Sequence, residues 1–293
     1  RSTELTTFWT PTGRYKYLRM PQGISSAPEE YQQRQVQAYD GLRGVLVVAD
    51  DTLIYGVGET DEEAKRDHDK NLRALFERAR QIGLKYNRKK LQLRLQEVRY
   101  MGHIISKEGV KPDPEKIRAI ADLPAPSDAK AVERFLGMIN YHLSFIPNLS
   151  VLTTPLRETI RRDNRFMWLE AQDEAFRKIK EALSKAPTLT YYSASKPVTI
   201  QTDASDCGVG AVMLQEGRPV AYHSHALSEA EKGYVAMEKE CLAIVSCCLK
   251  WDHLLYGKQG IKIETDHKPL VRIFEKPLEA CPKRLQRMRL TLQ

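Results

Sequence analysis

The feature that most constrains the fold of this chain is an apolar run, Val45–Val48, that leads through Ala49 into two adjacent acids, Asp50 and Asp51. A second short run, Thr52–Tyr55, follows at once and stops at a glycine. This pattern predicts a buried hairpin with both carboxylates at its tip. Like charges so close resist joint ionisation unless a cation lies between them, and magnesium suits such hard oxygen ligands. On the pair alone, an ordinary acidic turn between two strands is an open alternative.

Turn and capping signals organise the N-terminal segments. Residues 5–20 are predicted as two strands joined at Pro11–Gly13. Ser25 or Ser26 is expected to cap a helix that runs to about Tyr39, with a proline and two glutamates in its first turn. The acidic hairpin follows these elements in the chain.

Helical signals dominate the middle of the chain. Thr60–Glu63 is a capping box that opens a long helix, and Gly83 ends it. Ser127 or Asp128 begins a second helix that reaches about Tyr141. A third helix carries an apolar stripe that we interpret as core rather than as a ligand site. The stripe consists of Ala175, Phe176, Ile179 and Leu183.

From Pro197 onward the periodicity becomes strand-like, and two predicted strands end in acids. These strands are Pro197–Asp203 and Ile261–Asp266, and Ser228–Glu231 between them is a capping box expected to open a helix to about Leu255. Alternating strands and helices indicate an α/β domain. Such folds gather ligands at strand ends, which makes both terminal acids candidate site residues.

Charge and composition limit the partners. A net charge of +8 and a pI near 9.1 favour a polyanion, with nucleic acid ahead of an anionic membrane. Five cysteines without zinc-type spacing are expected to be reduced thiols. No bilayer-length apolar run, secretory signal or phosphate-binding glycine loop is present, so we expect an intracellular protein without a membrane partner and disfavour a nucleotide-cofactor metabolic enzyme.

Four ordered passages and a second acidic block together resemble one known family. The passages are Leu5–Phe8 with Gly13–Pro28, the hairpin around Asp50 and Asp51, Tyr100–Ile105, and Arg134–Tyr141. In this order they resemble the reverse transcriptase of gypsy-class LTR retrotransposons. The block from residue 191 onward is similar to the ribonuclease H that follows in that family. The resemblance covers essentially the whole chain.

The resemblance implies a multidomain fold of α/β and α+β classes. The expected parts are a partial palm with truncated fingers at residues 1–107, a thumb at 108–164, a connection at 165–190, and a C-terminally truncated ribonuclease H-like α/β domain at 191–293. Because the chain begins at Arg1 and stops at Gln293, we expect a processed product or an excised fragment. The family's third palm acid would then lie upstream, and its fourth ribonuclease H acid downstream.

For the ribonuclease H part, the resemblance implies three catalytic, metal-binding acids, namely Asp203, Glu240 and Asp266. Glu240 rather than Glu238 is assigned, because Leu242 and the residues after it follow the acid as in the family, and two-residue spacing places Glu238 on another helix face. Hydrolysis of a phosphodiester with two metal ions needs such converging carboxylates, and Mg²⁺ or Mn²⁺ is the expected cofactor. Three unrelated surface acids are the alternative.

For the polymerase part, the resemblance implies three groups of site residues. They are Asp50 and Asp51 as catalytic and metal-binding acids, Gln22 and Gly23 as nucleotide contacts, and Tyr100, Met101 and Gly102 as the primer grip. A plain strand-to-helix turn is the alternative for Gln22 and Gly23. The family has an aromatic residue and then a variable one before the acid pair. Here those positions hold Val48 and Ala49, so we expect weakened polymerisation.

The implied function is RNA-directed DNA polymerase with ribonuclease H activity, that is, a nucleotidyltransferase and an endonuclease. Expected partners are an RNA template, a DNA primer, an RNA–DNA hybrid and deoxynucleoside triphosphates, with a dimer as an open state. The resemblance places such a protein inside the cell, in a cytoplasmic virus-like particle or in the nucleus. The alternative is an inactive or weakened retroelement remnant that binds nucleic acid through its basic surface.

Overall fold

A computed structural model describes residues 6–21, 23–160 and 165–292. The chain divides into two compact units, Arg1–Gln96 and Glu97–Gln293. Helices and strands are mixed in both units, which confirms the predicted fold class. All five cysteines are free, as expected. Within the described residues, no helix combines the length and apolar character needed to cross a bilayer.

The first unit is built from two hairpins and two helices. Strands β1 (Thr7–Thr10) and β2 (Gly13–Lys16) pair antiparallel, and helix α1 (Ala27–Ala38) follows. Ser26 occupies the predicted cap position, but its backbone is already helical and its side chain makes no capping hydrogen bond. The acidic hairpin consists of β3 (Val45–Val48) and β4 (Asp51–Ile54).

Helix α2 (Asp61–Ile82) completes the first unit, and a short 3₁₀ turn (Arg88–Lys90) follows it. The predicted capping box is present: the Thr60 side chain accepts a hydrogen bond from the Glu63 N–H, and the Glu63 carboxylate bonds back to the Thr60 N–H. Gly83 ends the helix in the left-handed conformation with φ 72°. The sequence therefore predicted both ends of this helix correctly.

The prediction that the acidic hairpin is buried was wrong. The side chains of Leu46 and Val48 are 48% and 38% exposed. The described sheet has only these two strands, and helices α1 and α2 pack against it. Because alternate residues of a strand point to opposite faces, packing on one face leaves the other open.

The second unit begins with a three-stranded antiparallel sheet and a helical core. The strands are β5 (Glu97–Tyr100), β6 (His103–Ser106) and β7 (Gly109–Pro112). The helices are α3 (Pro114–Ala121), α4 (Ala129–Asn140), α5 (Leu149–Leu152), α6 (Thr154–Glu158) and α7 (Glu170–Ser184). The Asp128 carboxylate caps α4, as predicted.

One apolar core unites these helices. It includes the predicted stripe of α7, which is buried throughout. Other members are Val132, Phe135, Ile139, Phe145, Leu149 and Leu156. Ser150, in α5, ties this core to the next sheet, because its N–H donates to the Ser224 hydroxyl at 2.9 Å and its hydroxyl donates to the Ser224 carbonyl at 2.8 Å.

The C-terminal part of this unit is a four-stranded sheet covered by helices. Its strands are β8 (Val198–Ala204), β9 (Gly208–Gln215), β10 (Arg218–Ala226) and β11 (Ile261–Thr265), in the spatial order β10-β9-β8-β11. Strand β11 is parallel to β8, and the other neighbours are antiparallel. The carboxyl ends of β8 and β11 therefore lie at the same edge of the sheet.

The helices of this part are α8 (Glu229–Lys232), α9 (Ala236–Lys250), α10 (Asp252–Leu255), α11 (Lys268–Glu275) and α12 (Lys283–Thr291). The prediction of one helix from Ser228 to about Leu255 was wrong. Ser228 caps only the single turn of α8, which ends at Gly233, and the long helix starts afresh at Ala236. Glycine is a poor helix former, which explains the break.

Candidate metal centre

Strand register brings two of the predicted acids together. Asp203 is the penultimate residue of β8, and Asp266 directly follows the last residue of β11. Thr202 of β8 is the register partner of Thr265 of β11, so the next residue of each strand carries an acid at the same edge. The sequence predicted an acid at the end of each strand, and the parallel pairing of β8 with β11 brings the two acids together.

Helix α9 supplies the third acid. It packs against β8 and β9 through an apolar face, which holds its second turn over the sheet edge. Glu240 lies there and is buried, whereas Asp203 and Asp266 are exposed. Carboxylate oxygens of the three residues all lie within 4.8 Å of one another. In the described part of the chain, this is the one group of three or more acids, histidines or cysteines close enough to hold a metal ion.

The electrostatics of this cluster are those of a cation site. Burial raises the pKa of Glu240 to about 7, and the nearby charges of Asp266 and Asp203 add to the rise. The Ala204 N–H and the Thr265 hydroxyl, 3.5 Å from the carboxylate, oppose the shift in part by hydrogen bonding. Three hard oxygen donors that repel one another fit a divalent cation, which would relieve the repulsion.

The raised pKa of Glu240 predicts a pH-dependent stability without metal. A carboxyl whose pKa is about 7 in the folded state, against 4.5 ordinarily, keeps a proton that the unfolded chain releases. The free energy of unfolding therefore falls as the pH rises from about 4.5 to about 7. In EDTA, we expect Glu240→Gln to lose less stability than the wild type between pH 5 and pH 8. Thermal unfolding measures this, and identical losses in both proteins would contradict it.

The acids of the hairpin stand apart from any such cluster. Asp50 lies in the turn and Asp51 begins β4, and both are exposed. In the described residues, no third ligating side chain joins them in a metal-sized group. Gln32 of α1 fixes the turn by two hydrogen bonds, which form a latch. Its side-chain N–H donates to the Val47 carbonyl at 2.9 Å, and its side-chain oxygen accepts from the Ala49 N–H at 2.5 Å.

Gln32 was missed in the sequence, because an amide on a helix surface carries no signal for a contact 15 residues away. The latch holds Ala49 in the left-handed region at φ 51°, an uncommon conformation for a residue other than glycine. Such a held turn fixes where the two carboxylates of the hairpin point.

Among the other predicted polymerase residues, Gly23, Met101 and Gly102 lie in turns, and Tyr100 is the last residue of β5. Gln22 lies outside the described residues, and Gly23 has φ 88° just before α1, a conformation that favours glycine. Met101 and Gly102 form a two-residue hairpin turn between β5 and β6, with φ 47° and 68°. Positive φ at both central positions is the type I′ geometry that matches strand twist.

The turn at Gly102 packs closely against helix α4. The close neighbour is a side chain: a Cβ on Gly102 would lie 3.3 Å from the Tyr141 ring. Tyr141 also donates a hydrogen bond from its hydroxyl to the Met101 carbonyl, and its ring stacks on His103 with centroids 5.0 Å apart. The turn that carries the predicted primer grip is therefore held by the end of helix α4.

Two family models match separate parts of the chain, one around the acids of the hairpin and one around those of the carboxylate centre. Residues 1–105 match the model described as reverse transcriptase (RNA-dependent DNA polymerase). Residues 168–263 match the model described as an RNase H-like domain found in reverse transcriptase. The second match contains Asp203 and Glu240, and Asp266 lies three residues beyond its end.

Curated relatives match over nearly the full chain. The Transposon Tf2-3 polyprotein of Schizosaccharomyces pombe is 33% identical over 98% of this chain. The retrovirus-related Pol polyprotein from transposon 297 of Drosophila melanogaster is 33% identical over 92% of it. The chain spans only 22% and 25% of these two relatives, respectively.

Solved structures share the fold. The foamy viral protease-reverse transcriptase dRH in complex with double-stranded DNA superposes with a TM-score of 0.84 at 23% identity, over 99% of this chain and 51% of that one. The foamy viral protease-reverse transcriptase in complex with an RNA/DNA hybrid gives 0.79 at 24% identity, over 98% and 39%. At such identities the likeness concerns the fold alone.

Proposed function

Because this chain belongs to the reverse transcriptase–ribonuclease H region of Ty3/gypsy-type LTR-retrotransposon Pol polyproteins, we propose that its carboxylate centre hydrolyses the RNA strand of RNA–DNA hybrids. The observation that carries this proposal is the convergence of Asp203, Glu240 and Asp266 within 4.8 Å at one sheet edge. Ordinary structural acids avoid such crowding, because each charge raises the cost of ionising the next.

Each residue of the centre has a distinct task in this proposal. Asp203 and Asp266 are exposed, so they would hold cations where a phosphate from solution can reach them. Glu240 is buried and oriented by the Ala204 N–H and Thr265, so it would anchor the same cations from within. Bound Mg²⁺ or Mn²⁺ would supply an activated water and stabilise the leaving oxygen.

The polymerase half of the proposal rests on the hairpin and the turns. Asp50 and Asp51 would bind the metal-bound triphosphate of an incoming deoxynucleotide, with Gln22 and Gly23 at its sugar. Tyr100–Gly102 would hold the primer end. The held turn at Ala49 and the type I′ turn at Met101 support these tasks, because each presents its residues in one conformation.

The corresponding parts of the chain, in this proposal, are the palm at 1–107, the thumb at 108–164, the connection at 165–190 and the ribonuclease H-like domain at 191–293. Its partners would be an RNA template, a DNA primer and the RNA–DNA hybrid, which the net charge of +8 would attract. Replication of element RNA would take place inside the cell, in a cytoplasmic virus-like particle or in the nucleus, and a second copy of the chain could take part.

A second candidate function is nucleic-acid binding without catalysis. The observation that favours it is Val48, which is exposed beside the acid pair where the family has an aromatic residue. In this candidate, polymerisation is lost with that ring, and the carboxylate centre binds a hybrid without cleaving it. The two candidates therefore differ in whether a hybrid is cleaved or only bound.

Cleavage of an RNA–DNA hybrid tests the proposal. The substrate carries a fluorophore on its RNA strand, and the reaction contains Mg²⁺ or Mn²⁺ with the purified chain. We expect shortened RNA, an intact DNA strand and no reaction in EDTA, with double-stranded DNA of the same sequence as the control. Binding of the hybrid with no shortening of the RNA in either metal would refute the proposal in favour of the second candidate.

A further inference from the structure

Lys239 stands next to the carboxylate centre and is buried to an unusual degree. Its side chain is 9% exposed, although lysine is rarely buried unless its charge is paired. The ammonium donates to the Asp206 carboxylate at 2.7 Å, and the Asp206 side chain is 96% exposed. An ion pair between a buried lysine and a fully exposed acid adds little to the free energy of unfolding, because the cost of burying the charge offsets the attraction. Stability of the fold therefore does not explain why this pair is present.

The partner, Asp206, lies in a turn that follows Ala204, the last residue of β8. This turn joins β8 to β9 and closes on itself through Ser205, whose hydroxyl donates to the Gly208 carbonyl at 2.8 Å and accepts from the Gly208 N–H at 3.1 Å. The backbone N–H of Ser205 also donates to the Gly208 carbonyl. Because these hydrogen bonds fix the turn, a displacement of Asp206 would also displace the end of β8, where Asp203 lies.

Two successive residues of α9 hold this strand end at two points. The Ala204 N–H interacts electrostatically with the Glu240 carboxylate, and Lys239 binds Asp206 two residues further on. The preceding residue, Glu238, faces another way, because its carboxylate binds Arg284 of α12 at 2.7 Å. The first turns of α9 therefore fasten both neighbouring elements, and Lys239 holds the chain three residues beyond Asp203.

We propose that Lys239 is a positioning residue, which fixes the separation of Asp203 and Glu240 through Asp206 and so sets the affinity of the centre for divalent cations. The inference rests on the proposed function of that centre. Contacts that orient metal ligands contribute about 10- to 100-fold to metal affinity in other proteins. Lys239 makes no contact with substrate in this account, and its effect passes through the backbone of β8.

Binding of Mn²⁺ alone, without hybrid, tests the inference by calorimetric titration. Lys239→Met keeps the length of the side chain and removes its charge, and we expect its dissociation constant for Mn²⁺ to rise about 10-fold. Lys239→Arg restores the ion pair and should bind nearly as the wild type does. The matched control is Lys232→Met, which removes a surface lysine paired with Glu229 one helix earlier and should leave Mn²⁺ binding unchanged.

Asp206→Ala provides a second, independent arm. Its side chain is exposed, so its removal creates no cavity, and it decides the question if Lys239→Met fails to fold. We expect it to weaken Mn²⁺ binding as much as Lys239→Met does, and the double variant to be no weaker, because both changes break one contact. Wild-type Mn²⁺ affinity in Asp206→Ala, or in a folded Lys239→Met, would overturn the inference.

The outcome for Lys239 is separable from the outcome for hydrolysis. If the wild type binds Mn²⁺ but leaves the hybrid whole, the proposed function fails and the effect of Lys239→Met on Mn²⁺ binding still supports the inference. If the wild type cleaves the hybrid and Lys239→Met binds Mn²⁺ equally well, the function stands and the inference fails. A wild type that binds no Mn²⁺ overturns both.

Discussion

Asp203→Asn is expected to lower the rate of RNA cleavage in a hybrid by about 10³-fold or more. The amide keeps the shape of the side chain but removes one of three charges that hold the cations, and metal ions contribute several kcal/mol to stabilising charge in such reactions. The expected loss is in the chemical step, so the measurement is single-turnover cleavage of a labelled RNA strand at saturating hybrid and fixed Mg²⁺.

The control for this change is Asp252→Asn, which removes an equal charge from an exposed residue outside the centre. It should cleave at the wild-type rate. Asp203→Asn should also unfold at or above the wild-type temperature in EDTA, because the substitution relieves repulsion that Glu240 experiences. A folded Asp203→Asn protein that cleaves within tenfold of the wild type would show that the three carboxylates are not the catalytic centre.

Gly109→Ala is expected to reduce the free energy of unfolding by about 3–5 kcal/mol. Gly109 has φ 139°, and an added Cβ would lie 2.0 Å from the Leu189 carbonyl oxygen. That carbonyl accepts a hydrogen bond from the Val110 N–H at 2.8 Å, and the Leu189 N–H donates back to the Val110 carbonyl at the same distance. The methyl group would break this pairing between β7 and the segment that leads to β8.

Chemical denaturation measures the loss, and Gly217→Ala is its matched control. Gly217 also has a positive φ, of 74°, but an added Cβ there would meet no atom within 4 Å. The control should therefore cost about 1 kcal/mol, the strain of the backbone alone. Equal losses in the two variants would mean that contact with Leu189 contributes nothing and that the tight approach at Gly109 is unimportant for stability.

Local signals explain which parts of the fold the sequence could predict. The ends of α2 followed from Thr60, Glu63 and Gly83, because capping depends on residues a few positions apart. Asp203 and Asp266 could be recognised as candidates because each ends a predicted strand, where α/β folds gather their ligands. Glu240 needed the family resemblance, since nothing in its own helix distinguishes it from Glu238 except the face on which it lies.

Contacts between distant segments explain what the sequence did not show. The exposure of Leu46 depends on how many strands flank the hairpin, which no property of the run itself reveals. The contacts of Gln32 with the acidic turn and of Lys239 with Asp206 join residues 15–17 and 33 positions apart. Such side chains look like solvated helix residues until the fold brings their partners near.

If Asp203, Glu240 and Asp266 form one divalent-metal centre, anomalous X-ray scattering from crystals grown with Mn²⁺ will locate the ion among their carboxylates. We expect a manganese peak bounded by carboxylate oxygens of all three residues, and the loss of that peak in Asp203→Asn crystals. Manganese bound elsewhere on the chain with no peak among these carboxylates would contradict it.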